Sequence, residues 1–577
     1  MRGWLSASLL LQLLLPAASQ AAAWVRLTSS HFELLTDAGE KHGRQVLERL
    51  ETVRHVFLES AGGKAPKLPV RVFLFSSERD FRRFEPRQPV RGFHQGSAER
   101  DYIAVFGPGE EALRAVRHEY MHILLSHGSA ALPLWLEEGT AEMYSTVDLR
   151  GPSAVFGSPI PNHVGVLRQL DWIGGDTFFN AGKDSPFLEQ SHQAGIFYAQ
   201  AWALAHMLNF SPAWRRHMPR FVELIDQGTP APFAFESAFG VSPARALADL
   251  RTYVRDGRFG TALIPMPPKP VEAAAMAEPL TGGALPLAQV ELLLALRRGE
   301  EADKLLDTFT GPPSAELETA RGLQALARRD SPSAKAHFGA AMKLGAASSV
   351  AAFEYAMLLR EEHGPKEEVR RLLSEAVGRN PDFAEAHFIL GLMAQQENRH
   401  RDAVAYFEEA TRVLPRQSYF WHARAVSHLE LRQTELARRS ALRAAASAAT
   451  SAELEMAQGA LKLINAAAPV SPRAGARSTV VVSDSWKPRQ GNQSVEGVLE
   501  QIDCYGASAR FQIRPPATAS VRLWVEKPGE VLLQDASSLT FTFACGPQQP
   551  RRVLVEYETQ PGLPQAAVGR ITAIRFL

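Results

Sequence analysis

The chain reads as three folded parts of different class: a mixed α+β domain, an all-α array of helical repeats, and a small all-β domain at the end. Three observations predict this. Through residue 262, apolar runs of strand length such as Leu68–Phe75 alternate with amphipathic helical stretches. Between residues 283 and 465, small and apolar positions recur at a helix-pair spacing of about 34 residues. Beyond residue 490 the patterning changes to period two, in short segments such as VRLWVEK and RRVLVEYE. A length of 577 residues, at about 150 per domain, fits such a division.

Residues 1–23 read as a secretory signal peptide. Arg2 supplies the positive end, Leu5 to Pro16 the apolar core, and Ala21-Ala22-Ala23 the small residues before a cleavage point at Trp24. That core is shorter than the roughly 20 residues a spanning helix needs, and no later stretch is apolar enough. The expectation is an exported chain, periplasmic or secreted, with no membrane span after the peptide is removed. Lys+Arg and Asp+Glu nearly cancel, at 63 against 62, which argues against nucleic acid as a partner, since that affinity comes from neutralising phosphates.

Within residues 24–262, Val25–Leu35 reads as a strand and Glu40–Phe57 as a helix with Val46, Leu47, Leu50, Val53 and Phe57 on one face. Leu68–Phe75 is a buried strand and Tyr102–Phe106 another short one. The run from Glu110 to Gly128 is helical, with Leu113, Val116, Tyr120, Ile123 and Leu124 at three- and four-residue steps. It carries His118-Glu119-Tyr120-Met121-His122, an HExxH pattern. Two imidazoles four positions apart share one helical face and can grip one metal ion, zinc above all, while Glu119 is turned toward water or substrate. Two ligands do not complete a catalytic site. The next helical stretch, Leu134–Glu142, offers Glu137 and Glu138. Glu138 is favoured as third ligand because Glu142 lies one turn on, where it can accept the free ring N–H of a ligand histidine.

HEYMH followed by WLEEGTAEMY resembles the gluzincin metallopeptidases, and among them the bacterial peptidase MA-like group often joined to tetratricopeptide repeats, over roughly residues 24–260. The resemblance implies a zincin-like domain. Zinc would be held by His118, His122 and Glu138, with Glu119 activating the water that hydrolyses a peptide bond. It also implies a sheet-edge strand above the site that pairs with extended substrate, a role that falls to the segment Gln95–Phe106 unless that segment is an edge strand that binds nothing. The hydroxyl of Tyr198, in the helical stretch Ser191–Phe210, is the expected oxyanion donor, with His206 as second candidate. Gly92–Ser97 lacks the G-x-M-E-N segment of the clan's aminopeptidases, which favours endopeptidase action. For His94, His127 and His192, solvated loop or helix-end positions are expected rather than places bordering the cleft.

Residues 263–282 read as a Pro-rich linker ending at Gly282-Gly283. The unit Phe383–Pro415 has Leu390, Gly391, Ala394, Ala403, Phe407, Ala410 and Pro415 at tetratricopeptide positions, with Gly391 expected to face Ala410. About five such units, from 283 to 465, stack into a short solenoid that holds a peptide or protein partner in its groove or serves as a spacer. Residues 466–490 form a second linker, and 491–577 a small β-barrel or sandwich. Its Cys504 and Cys545 are the only cysteines. In an oxidising compartment they pair, or they stay as two buried thiols. The whole reads as an exported zinc-dependent peptidase with a repeat module for substrate or partner. Its competitor is a non-catalytic repeat scaffold of the cell envelope with a structural or vestigial zincin domain.

Overall fold

A computed structural model describes residues 24–85, 90–128, 132–226, 229, 231–267, 277–345, 348–448, 450–467, 493–505, 508–516, 520–526, 532–534, 546–560, 563–564 and 567–576. The expected signal peptide and the expected linker at 466–490, apart from the end of the last helix, lie outside the described residues, as do Cys545 and the side chain of Cys504. Two compact units are present, Met1–Pro469 and Val470–Leu577.

The segment expected as one strand is a hairpin. Ser29 N–H donates to Phe32 O and splits it into β1 (Val25–Thr28) and β2 (Phe32–Thr36). Then come α1 (Glu40–Ala61), β3 (Val70–Phe75), α2 (Glu78–Phe81), β4 (Gly92–Gln95), β5 (Tyr102–Phe106), α3 (Glu110–Gly128) and α4 (Leu134–Tyr144). A second small sheet holds β6 (Asp148–Arg150) and β7 (Ser153–Phe156). Helices α5 (Pro161–Gln169), α6 (Gly175–Phe179), α7 (Ser191–Phe210), α8 (Pro212–Arg215), α9 (Met218–Asp226), α10 (Ala231–Phe239) and α11 (Pro243–Asp256) follow. The expected linker supplies two further strands: β8 (Ala262–Pro265) pairs with β7, and β9 (Glu278–Pro279) pairs with β1.

The main sheet runs β4-β5-β3-β2-β1-β9. Its β2, β3 and β5 are parallel, while β4 is antiparallel and lies at one edge. All six residues of β3 are buried because both faces of the sheet are covered. Val70, Val72 and Leu74 join Ile103 and Val105 in the core beneath α1 and α3. Phe73, Phe75 and Tyr102 pack instead against Ala288, Leu292 and Leu293, which belong to the first repeat.

The repeats are five helix pairs and a last helix among the described residues. The pairs are α12 (Ala284–Ala295) with α13 (Gly299–Asp307), α14 (Ala315–Ala327) with α15 (Ser331–Lys343), α16 (Ser349–Glu361) with α17 (Lys366–Arg379), α18 (Ala384–Gln396) with α19 (His400–Val413), and α20 (Ser418–Glu430) with α21 (Thr434–Ala446). The last helix is α22 (Ser451–Ala467). Each pair turns through one left-handed residue: Arg297, Arg329, His363, Asn398 and Arg432, all with φ between 57° and 60°. The following N–H reaches back five residues, as in Arg399 N to Ala394 O, closing a Schellman turn each time. Gly391 meets Phe407 rather than the expected Ala410: a Cβ there would lie 2.5 Å from the ring. Gly322 faces Phe338 in the same way.

The second unit is all-β: β10 (Gln493–Tyr505), β11 (Ser508–Arg514), β12 (Val521–Val525), β13 (Leu532–Gln534), β14 (Gly546–Thr559) and β15 (Gly569–Phe576). Strand order β12-β11-β10-β14-β15, with β12 also pairing parallel to β15, closes five of them into a barrel around Phe511, Ile513, Leu523, Val553 and Val555. Among the described residues no helix is long and apolar enough to cross a membrane.

Candidate metal centre

Helix α3 starts with Glu110 and Glu111 in its first turn, where acids suit the helix dipole. Val116, Tyr120, Met121, Ile123 and Leu124 bury one side of it in the core. His118, Glu119 and His122 project toward α4 and β4. Helix α4 is drawn in by Trp135, fully buried among Phe178, Phe179, Phe221 and Phe235. At Gly139 it rides directly on the backbone of α7, because any Cβ would strike the carbonyl of Ala201. That close approach sets where Glu138 stands.

The structure brings His118, His122 and Glu138 together. His118 Nε2 and His122 Nε2 are 3.1 Å apart, and Glu138 Oε2 lies 3.5 Å from each. Ligands at about 2.0–2.1 Å from a tetrahedral zinc are separated by about 3.3–3.4 Å, so this triangle has the edge lengths of one tetrahedral face. The opposite ring nitrogens face carboxylates. His118 Nδ1 is 3.5 Å from Glu142 Oε1, and His122 Nδ1 is 3.4 Å from Glu137 Oε1. With protons on Nδ1, both Nε2 lone pairs aim at one point beside a carboxylate oxygen, a place that fits a cation.

Burial works against protonating His122, yet the neighbouring carboxylates of Glu137 and Glu138 outweigh it and push the ring up to about 10. Burial likewise opposes the charge on Glu138, and the two histidines overcome it, holding the carboxyl far below its usual range. Glu142 is brought down to about 2 against the same burial penalty by His163, His118 and Arg114. Its Oε2 takes bonds from Arg114 and, at 3.2 Å, from His163 Nε2. The donor set of two imidazoles and one carboxylate therefore fits a divalent ion of zinc's ligand preference.

Around this cluster, Glu119 Oε2 lies 2.8 Å from His94 Nδ1, and the His94 ring stacks on His122 at 4.8 Å. His94 was expected at a solvated position. Instead it sits on β4, whose alternation turns it inward, and it is only a third exposed. Burial would raise the Glu119 carboxyl, but the His94 bond and the charges of His118 and His122 lower it overall. Tyr198, half-buried on α7, is held protonated by burial and by the charges of Glu138, Glu119 and Glu142. His206 has no free nitrogen for such a role: Nδ1 meets Tyr253 OH and Nε2 meets Gly157 O, each at 2.8 Å. His127 pairs with Asp101 at 2.8 Å, and His192 is exposed.

The sheet edge beside the site is β4, so the expected edge segment Gln95–Phe106 is displaced toward the N-terminus and β5 is interior. Phe106 N–H donates to Arg91 O and Ser97 N–H to Arg100 O. In an antiparallel ladder this register turns the backbone groups of Gly92 and His94 away from β5. A cleft of about 290 Å³ opens past His94 and His122, and its far side is the turn between α19 and α20.

His94, His163, Arg114 and the role of Glu137 escape sequence reasoning. His94, His163 and Glu137 come from three other elements with no fixed spacing to HExxH, while Arg114 lies one turn before His118 on α3 itself. Only the alternation within GFHQ gives any sign, by turning Phe93 and His94 to opposite faces.

No family model and no curated protein matches the chain. Among solved structures it is similar to YrrB, described as a TPR protein with an unusual peptide-binding site, at 20% identity over 31% of this chain and 90% of that one, with a TM-score of 0.25. Pseudomonas aeruginosa pilF matches at 18% identity over 32% of this chain and 92% of that one, with a TM-score of 0.26. MamA matches at 14% identity over 28% and 90%, with a TM-score of 0.24.

Proposed function

We propose that this chain is an exported zinc-dependent peptidase, with zinc held by His118, His122 and Glu138. The observation that carries the reading is the donor triangle of 3.1, 3.5 and 3.5 Å, with Glu119 next in line on the same helix. Zinc in such a site polarises a carbonyl and lowers the pKa of a water toward 7. Glu119, oriented by His94, takes the proton of the attacking water and returns it to the leaving amine. Tyr198 donates its hydroxyl to the developing oxyanion, which its firmly held proton allows. Gly92 and His94 offer main-chain groups to an extended peptide laid along β4. Glu137 and Glu142 fix the ring orientations of the two ligand histidines.

The test is digestion of a peptide library by the zinc-loaded chain beside Glu119→Gln. The expected result is cleavage by the wild type and loss of about 10³-fold or more in the variant, with zinc retained. Equal cleavage by both removes Glu119 from the mechanism. Zinc bound without any cleavage by the wild type favours a repeat scaffold in which the metal is structural.

A further inference from the structure

Among the described residues, the segments leading into α16 and α18 both meet the first domain. Glu99 takes hydrogen bonds from Ser348 Oγ, Ser349 Oγ and Val350 N, each at 3.0 Å, at the start of α16. Ahead of α18, Asn380 Nδ2 donates to Ala98 O at 2.8 Å, and Asp382 accepts from Lys67 N at 2.8 Å. One repeat further, the α19–α20 turn stands opposite His122 across the metal cleft without closing on it. Two cations here differ in one respect. Arg412 is bonded to Asp382 at 2.6 Å and to Glu409 at 2.9 Å. Arg416, on the turn facing the cleft, has among the described residues only Glu137, at 4.0 Å. From the other side, Lys183 reaches the same Glu137 carboxylate at 3.4 Å. One carboxylate, already facing His122, thus answers two cations at the cleft mouth, leaving an excess of positive charge there.

We propose that the α19–α20 turn is a wall of the substrate cleft and that Arg416, with Lys183 opposite, binds a carboxylate of a peptide lying in it. This rests on the peptidase reading and names its substrate class: peptides with a carboxylate near the point of cleavage, from a free C-terminus or from an acidic side chain. A guanidinium holding only a long contact to a shared partner is available for a charge-assisted bond. On this account the repeats are part of the site and not a remote module.

The experiment uses the zinc-loaded full chain carrying Glu119→Gln and four labelled peptides of one core sequence. They are the free acid, its C-terminal amide, the amide with one internal Asp, and the amide with Asn in its place. Fluorescence anisotropy is expected to show at least about tenfold tighter binding for one or both carboxylate peptides than for their neutral partners, and the two arms separate terminus from side chain. Arg416→Glu should abolish or invert that ratio, and Lys183→Ala, on a separate loop, should lower it. Equal affinity for acid and neutral peptides, no binding of any of them, or a preference that survives Arg416→Glu overturns the proposal. If carboxylate-dependent binding holds while the wild type cleaves neither these peptides nor the library, the peptidase reading fails and the carboxylate site at the cleft stands without it. If the wild type cleaves them without regard to carboxylate, the reverse is true.

Discussion

His118 and His122 cooperate because a helix places i and i+4 on one face, and each ring is then turned by its own acid, Glu142 for one and Glu137 for the other. The two histidines are legible from spacing alone, since a helix converts sequence distance into geometry, while Glu138, on a second helix, is read from Glu142 one turn on and from the resemblance. His94 is not legible: it arrives from a strand whose distance in sequence says nothing of its distance in space. The position of Glu138 depends on a residue that touches no metal. Gly139→Ala would push α4 off the carbonyl of Ala201, costing about 1–3 kcal/mol of stability, since backbone cannot move aside as a side chain does. Urea unfolding should show that loss, and zinc titration of the folded variant should show weakened affinity. A Gly139→Ala chain that matches the wild type in both would show that the contact with α7 does not position the ligand.

The repeats illustrate what an element can and cannot announce. Their register was legible because Ala403, Phe407 and Ala410 answer Leu390, Gly391 and Ala394 through one helix pair, although the partner of Gly391 proved to be Phe407. The left-handed turn residues left no trace, being Arg, Arg, His, Asn and Arg where Gly would be the usual signal. Within α16, Glu354 has its carboxyl pushed up to about 7, first by burial and then by the charges of Glu361 and Glu385. The folded chain therefore keeps a proton there that the unfolded chain loses near the ordinary glutamate value of 4.5. Since the folded state binds the extra proton, stability falls as pH rises from about 4.5 to 7, by up to about 3 kcal/mol. Glu354→Gln should raise the melting temperature at pH 8 and leave it nearly unchanged at pH 4. An equal effect at both values would mean that the group titrates normally.

At the scale of the molecule, the sheet and the repeats fold together. The strand VRVFLF is apolar on both faces, which told in advance that two layers must cover it, but not that the second layer is α12 and α13 from beyond a proline-rich segment. Arg71, buried on that face, is neutralised by Glu33 on one side and Glu291 of α12 on the other, so the joint is ionic as well as apolar. A fragment ending at residue 282 would bare Phe73, Phe75 and Tyr102, and it should show no cooperative thermal transition, whereas a chain ending at residue 469 should melt as one unit. A folded, monomeric fragment ending at 282 would contradict that reading. On the proposed reading, two imidazoles and one carboxylate from α3 and α4 hold a single zinc ion. Calorimetric titration of the metal-free full chain with zinc tests it most directly. The account predicts one site per chain, weakened by 100-fold or more in Glu138→Ala as roughly expected when a ligand is removed. Zinc that binds with the same affinity to Glu138→Ala, or does not bind to the wild type at all, would contradict it.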